Sequence, residues 1–246
     1  GEAMEKYAIE SSMAKVYCSE LNGKVIDSGL QMMGGYGFIE EYTMARLYRD
    51  CRIDRIWEGT NEINRQIITG YMMKKALMEE LPIQGAIREI EQYMSNGKLE
   101  TNNEILLAES NVVETSKRLA LYLLNEGICE FGQDLKHQQQ IADILANIFI
   151  DIYVAESTVL RAKKMLGNPK ISKSVEGVAK IFVAEMAQRM IQLAETALKG
   201  IYNGDLSTMI HENLNAFRSR MYLPTNTIGL KREIAAYAYS KQSYPY

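Results

Sequence analysis

From Val178 onward the apolar residues of this chain fall at Ile181, Phe182, Met186, Met190, Leu193, Ala194 and Ala197. That three-to-four spacing belongs to a helix burying one stripe of its surface. The same rhythm recurs along almost the whole chain, while period-two alternation is scarce. Long runs of Ala, Leu, Met, Glu, Lys and Gln reinforce it, because these side chains lose little rotamer freedom in a helix. The pattern predicts helices at 2–33, 41–54, 61–80, 83–95, 102–130, 134–167, 171–203 and 226–240, with a short one near 208–221. The breakers fall between them: the glycines at 34, 35 and 37, Leu81-Pro82, Ser95-Asn96-Gly97, Gly132, Gly167-Asn168-Pro169 and Asn203-Gly204-Asp205. No period of a repeat protein is visible. The expected fold is all-α, an up-and-down helical bundle followed by a second helical bundle region. A boundary near Pro82 gives domains of 1–81 and 82–246.

Several function classes are excluded by composition. With 28 Lys+Arg against 31 Asp+Glu the net charge is −3, and basic residues are interleaved with acids, so nucleic-acid binding is not expected. The most apolar stretch, Ile141 to Leu160, carries Asp143, Asp151 and Glu156. It reads as a core helix, and no transmembrane segment is expected. Three dispersed cysteines, Cys18, Cys51 and Cys129, form neither a disulfide framework nor a compact zinc motif, which points to a reducing, cytoplasmic setting. The two histidines, His137 and His211, form no ligand pattern and read as surface or helix-end residues, so no metal is expected. The chain opens on Gly1-Glu2-Ala3-Met4, already inside a helical pattern, which reads as a piece of a longer protein.

Two islands depart from bundle sequence. The first is Gln31-Met32-Met33-Gly34-Gly35-Tyr36-Gly37-Phe38. Its glycines either cap the preceding helix or let bare backbone approach a partner. It is not a dinucleotide fingerprint, since no strand precedes it. The second is Ile56-Trp57-Glu58-Gly59-Thr60-Asn61-Glu62-Ile63. Thr60 suits an N-cap, and Glu62 adds negative charge to the first turn. Glu58, between the single tryptophan and a glycine, has no such local use and is the candidate base.

Together these residues resemble the acyl-CoA dehydrogenase family. The resemblance rests on Gln31 to Gly37, then Arg49-Asp50-Cys51-Arg52-Ile53, then Trp57 to Asn61, in that order, and extends over roughly residues 5–80. The segment His137 to Leu166 is similar to the helical C-terminal extension of the very-long-chain branch. Trp57 stands where Tyr or Phe is commoner, which bears on substrate preference and leaves the reaction type untouched.

The resemblance implies an FAD-dependent oxidoreductase of fatty acid metabolism. In it Glu58 takes the α-proton of an acyl-CoA thioester, a hydride leaves the β carbon for the flavin, and trans-2-enoyl-CoA is formed. A free carboxylate is a poor base for that proton, so burial beside Trp57 and the acyl chain should raise its pKa. The backbone N–H of the base residue would steady the enolate oxygen, and Gly59 would let acyl-CoA lie close to the backbone. Gln31, Gly34 and Gly35 are placed against the FAD of a neighbouring subunit, and Thr60, Asn61 and Glu62 near their own. The partners implied are the acyl-CoA substrate, an electron-transfer flavoprotein and further copies of the chain in a dimer or tetramer. The remaining domains of the family are absent from these residues, so the chain alone is expected to be inactive and not to retain FAD.

Outside these motifs, Arg46, Arg49, Arg52 and Arg55 trace one helical face, read as ion-paired (Arg46 with Asp50) or as a phosphate contact. The methionines near 32–33 and 72–78 read as core packing. The tyrosine-rich tail from Ala235 reads as interface or frayed end. The competing function is a non-enzymatic helical module for oligomerisation or membrane-surface docking, carried by 82–246.

Overall fold

The computed structural model describes residues 6–78, 80, 83–96, 104–167 and 172–241. The regular elements among them are helical: α1 (Ala8–Met33), α2 (Gly35–Phe38), α3 (Thr43–Arg52), α4 (Asn61–Leu77), α5 (Ile83–Asn96), α6 (Leu107–Phe131), α7 (Gln139–Met165), α8 (Ser172–Ile201), α9 (Thr208–Arg220) and α10 (Thr227–Lys241), with 3-10 turns at Ile53–Arg55 and Gly132–His137. The fold is all-α, as its spacing predicts. The breakers at Leu81-Pro82, Gly97 and Asn168-Pro169, and the tail beyond 241, lie outside the described residues.

α7 and α8 form the centre. Ile141, Leu145, Ile148, Ile152, Ala155 and Val159 of α7 meet Ala179, Val183, Met186, Met190 and Ala194 of α8 in one core, with Leu119 and Leu123 of α6 packed on both. Val16 of α1 and Ile68 of α4 enter the same core. The one buried acid among the three that interrupt the apolar run of α7 is accommodated by charge: Asp151 accepts two hydrogen bonds from Arg189 of α8, at 2.8 and 2.9 Å. Phe217 of α9 is fully buried beside the Tyr122 ring of α6, and Leu230 and Ile234 of α10 rest over Gly177 of α8. Tyr93 of α5 lies between the guanidinium groups of Arg118 and Arg220, 4.4 and 4.3 Å from its ring centre, fixing α5 to α6 and α9. Among the described residues no helix is long and apolar enough to cross a membrane.

Two departures from expectation have local causes. A helix expected from 134 starts instead at Gln139, after a 3-10 turn that tucks the fully buried Leu135 under α6. Gly127 makes room for it, since a Cβ there would lie 3.1 Å from the Leu135 side chain. Met32 and Met33, expected in the core, are exposed: Gly37 of α2 and Met44 of α3 approach the end of α1 at Leu30, Met33 Cβ and Gly29 and leave both methionine side chains largely uncovered. Met73 is buried as expected, whereas Met78 is exposed at the end of α4. His137 and His211 are both exposed.

The first section threads back on itself. α1 runs out to the glycine loop, and α3 returns along it. Met44 sits against Gly29, Asn22 bonds Asp54 at 3.2 Å, and the Arg55 guanidinium covers Gly23. That return delivers the segment 56–62 to the middle of α1, where α4 departs toward α7.

Candidate functional site

The glycine loop is partly a matter of local geometry. Gly34 stops α1 at φ 60, ψ −141, a region open essentially to glycine alone, and its N–H bonds Gln31 O at 3.2 Å. Gly37 is required by packing, since a Cβ there would fall 2.7 Å from the Leu30 carbonyl oxygen. Gly35 has neither reason: a Cβ would meet nothing within 4 Å. The Gln31 side chain is exposed, and around it Met32, Tyr36 and Phe38 stand 64–83% exposed.

The second island is a strained turn. After the 3-10 segment the N–H groups of Ile56 and Trp57 share the Ile53 carbonyl, at 2.8 and 3.1 Å. Glu58 (φ 52) and Gly59 (φ 82) then both enter the left-handed region. For glycine this costs nothing special, but for an L-residue it costs roughly 1–2 kcal/mol. The turn is therefore pinned from outside. Gly59 O accepts hydrogen bonds from Lys15 Nζ and Asn64 Nδ2, each at 2.8 Å, and Thr60 O accepts a third from Asn64 at 3.1 Å. Glu58 and Trp57 are exposed.

Thr60 caps α4, its hydroxyl accepting from Ile63 N–H at 3.4 Å. Asn61 is buried, with its amide turned into the protein. Its Oδ1 accepts from Lys15 Nζ at 2.7 Å, and its Nδ2 faces Ser19 Oγ (3.0 Å) and Glu20 Oε1 (3.2 Å). Glu62 is exposed, and its carboxyl is held below the usual carboxylate range by its own backbone N–H, then by the Thr60 hydroxyl, with Arg65 and Lys15 adding to the effect. It is thus a fixed negative charge at a helix N-terminus.

Beside these residues a cavity of about 270 Å³ is lined by Glu20, Lys24, Arg52, Arg55, Thr60 and Glu62, among others. Arg55 Nε is buried there without a hydrogen-bond partner. The arginine row is thus divided. Arg49 pairs with Glu40 at 3.0 Å, in place of the expected Arg46 to Asp50 pair, and Arg55 folds onto α1.

Glu58, Gly59, Thr60, Asn61 and Glu62 come together in one turn, as the sequence places them. Gln31, Gly34 and Gly35 do not join them. Eleven helical steps along α1 separate Glu20 from Gln31, about 16 Å at 1.5 Å per step. The pinning residues Lys15, Ser19, Glu20, Asn64 and Arg65 escaped the sequence reading. A signal existed: Asn61, Asn64, Ile68 and Thr69 share the buried face of α4, so two amides stand where an apolar stripe is expected.

Two family profiles, each described as acyl-CoA dehydrogenase, C-terminal domain, match residues 1–73 and 115–215. A probable acyl-CoA dehydrogenase of Bacillus subtilis is 35% identical over 99% of this chain, which spans 41% of that protein's length. A subunit of the caffeyl-CoA reductase–Etf complex of Acetobacterium woodii is 46% identical over 27% of the chain and 17% of its own length. The crystal structure of an acyl-CoA dehydrogenase complexed with FAD from Bacillus anthracis superimposes with a TM-score of 0.88 at 32% identity, over 98% of this chain and 41% of that one. The chain belongs to the acyl-CoA dehydrogenase C-terminal domain family.

Proposed function

We propose that this chain is the C-terminal part of an FAD-dependent acyl-CoA dehydrogenase that converts an acyl-CoA thioester to trans-2-enoyl-CoA, as in fatty acid β-oxidation, with Glu58 as its base. Residues 1–81 close the catalytic helical domain, and 82–246 add a further helical unit. The observation that carries the reading is the turn itself. A carboxylate is held in a strained left-handed conformation (φ 52) by four hydrogen bonds that Lys15 and Asn64 make to the residues following it, and no local contact of its own accounts for it.

The residues fit the cofactor. Gly34 and Gly35 leave backbone open to close approach, and the unpaired Arg55 Nε beside Thr60 and Glu62 offers a donor to an anionic group. Gln31, Gly34 and Gly35 would hold the FAD of a neighbouring subunit, and Thr60, Asn61 and Glu62 the FAD of their own. Asn61 is buried with its amide turned inward, so it would act on that FAD by shaping the turn, and the charge of Glu62 keeps it off the pyrophosphate. FAD, when bound, accepts the hydride from the β carbon. Glu58 takes the α-proton, its own N–H steadies the enolate oxygen, and Gly59 lets the thioester lie against the backbone.

The exposed Met32, Tyr36, Phe38 and Trp57 support a cover supplied by other domains or by a second copy, hence a dimer or tetramer in which Glu58 becomes desolvated. The kinship with a subunit of an Etf complex supports an electron-transfer flavoprotein as acceptor. The free cysteines suit a reducing, cytoplasmic setting. On this reading the 246 residues alone neither turn over substrate nor retain FAD.

The test is the visible spectrum of the full-length protein before and after anaerobic addition of butyryl-, octanoyl- and palmitoyl-CoA. Flavin bands bleached by one of them, and not in Glu58→Gln, support the reading. A full-length protein without flavin that cannot be reconstituted with FAD refutes it, and the helical-module reading takes its place.

A further inference from the structure

The pins on the Glu58 turn do not end at α1. Glu20 Oε1 receives Asn61 Nδ2 at 3.2 Å and Arg65 Nη2 at 2.6 Å. Arg65 Nε then donates to Asn147 Oδ1 of α7 at 2.8 Å, and Asp143 Oδ1 lies 3.5 Å from the same nitrogen. Asn147 Nδ2 donates to Asp143 Oδ2 at 3.0 Å, which fixes the amide that receives Arg65. The Arg65 side chain is 12% exposed, so the guanidinium fork is shielded from water where it bridges α4, α1 and α7. Lower down, Thr69 Oγ1 donates to the Ala142 carbonyl at 2.7 Å, locking α4 and α7 in register.

We infer that Arg65, Asn147 and Asp143 are positioning residues for Glu58: α7 sets the orientation of the base turn through Arg65, Glu20 and Asn61. This rests on the reading of Glu58 as the base. Two successive left-handed residues do not hold themselves, so the aim of the carboxylate depends on what grips Gly59 and Asn61. Lys15 grips both, Glu20 grips Asn61, and Glu20 is held in turn by an arginine anchored on α7. A displacement of about 1 Å at a reacting group costs up to about a hundredfold in rate. Lysine cannot replace the fork, because it has no second planar donor to reach Asn147 while holding Glu20.

The experiment uses the full-length, flavin-loaded protein with butyryl-, octanoyl- and palmitoyl-CoA, and compares the parent with Asn147→Ala and Arg65→Lys. Asn147→Ala and Arg65→Lys are each expected to lower kcat per bound flavin about tenfold, with KM within about twofold and a larger isotope effect for α-deuterated substrate. Hydrogen exchange at amides 57–62 should speed about tenfold in the same two variants, independently of activity. If kcat per flavin and exchange at 57–62 are unchanged while only thermal stability falls, the network is a structural staple and the inference is overturned. Should Asn147→Ala fail to fold, Arg65→Lys decides by the same two readouts. Glu58→Gln separates the levels: full turnover there overturns the base assignment and this inference with it. Lost turnover there with unaltered Asn147→Ala and Arg65→Lys overturns the α7 coupling alone.

Discussion

Glu58 gives a stability prediction whose sign, not merely its size, follows from the backbone. In ordinary helix or strand a glycine is less stable than an alanine by roughly 0.5–1 kcal/mol, because it gives up more freedom on folding. At φ 52 the order should invert. Alanine there keeps the left-handed cost of roughly 1–2 kcal/mol, whereas glycine escapes it and retains only its entropic cost. The difference leaves Glu58→Gly about 1 kcal/mol more stable than Glu58→Ala. Glu58→Gln, which keeps the Cβ, should fall within a few tenths of the parent. Equilibrium urea unfolding reads this directly: with a slope on the order of 3 kcal/mol per molar, the midpoint of the glycine variant lies about 0.3 M above that of the alanine variant. An alanine variant as stable as the glycine variant, or more so, would mean that the turn is not left-handed in solution. The argument from strain to function would then fail with it.

Two further outcomes follow from charges inside the bundle. Arg189→Ala leaves Asp151, whose side chain is 10% exposed, without its partner. Because Arg189 itself is 48% exposed and screened, the cost is discounted from the fully buried range to about 2 kcal/mol in urea unfolding, with most of it recovered in Asp151→Leu/Arg189→Met; a cost below about 0.5 kcal/mol refutes the assignment. On the alkaline side, burial pushes the Tyr122 hydroxyl up to about 12, with Glu126 adding and a hydrogen bond with Asn213 opposing, and burial followed by Glu126 raises Tyr202. A folded pKa above the unfolded one stabilises below the unfolded value and is lost as pH rises through the folded one. Stability should therefore decline from about pH 10 towards about 12, and less so in Tyr122→Phe, as followed by denaturant midpoints against pH.

What the sequence made legible was local and periodic. The stripe from Ile181 to Ala197 needs no partner to be recognised, and α8 buries five of its seven residues, with Phe182 and Leu193 half-buried at the edge. The Thr60 cap is a matter of three residues. Where a distant contact decides, the sequence is mute. The start of α7 differs from what the spacing predicts: Asp134 to His137 carry no breaker, yet Leu135 gains more by sinking against Gly127 than by joining a helix. Met32 and Met33 look like core residues in any window and are exposed because the glycine loop and α3 reach the end of α1 without covering their side chains. Lys15, Ser19 and Glu20 lie over 40 residues from Gly59 and Asn61, so no local pattern pairs them.

The same accounting separates function from structure within each island. At the glycine loop, a φ of 60 explains Gly34, and a 2.7 Å approach to Leu30 O explains Gly37. At the second turn, the cap explains Thr60, and a network of buried bonds explains Asn61. Each island then retains one residue that folding does not ask for: Gly35, with open space where a Cβ would sit, and Glu58, an exposed acid in a conformation that its own contacts do not favour. On the proposed role, Glu58 is held against its local preference, in a turn gripped from α1 and α4, because the reaction and not the fold asks for it. That is why, on that reading, the strain at Glu58 adds support that its place in a motif does not, and why the anchors of the turn on α1 and α4, and through Arg65 on α7, are proposed as parts of the site together with the carboxylate.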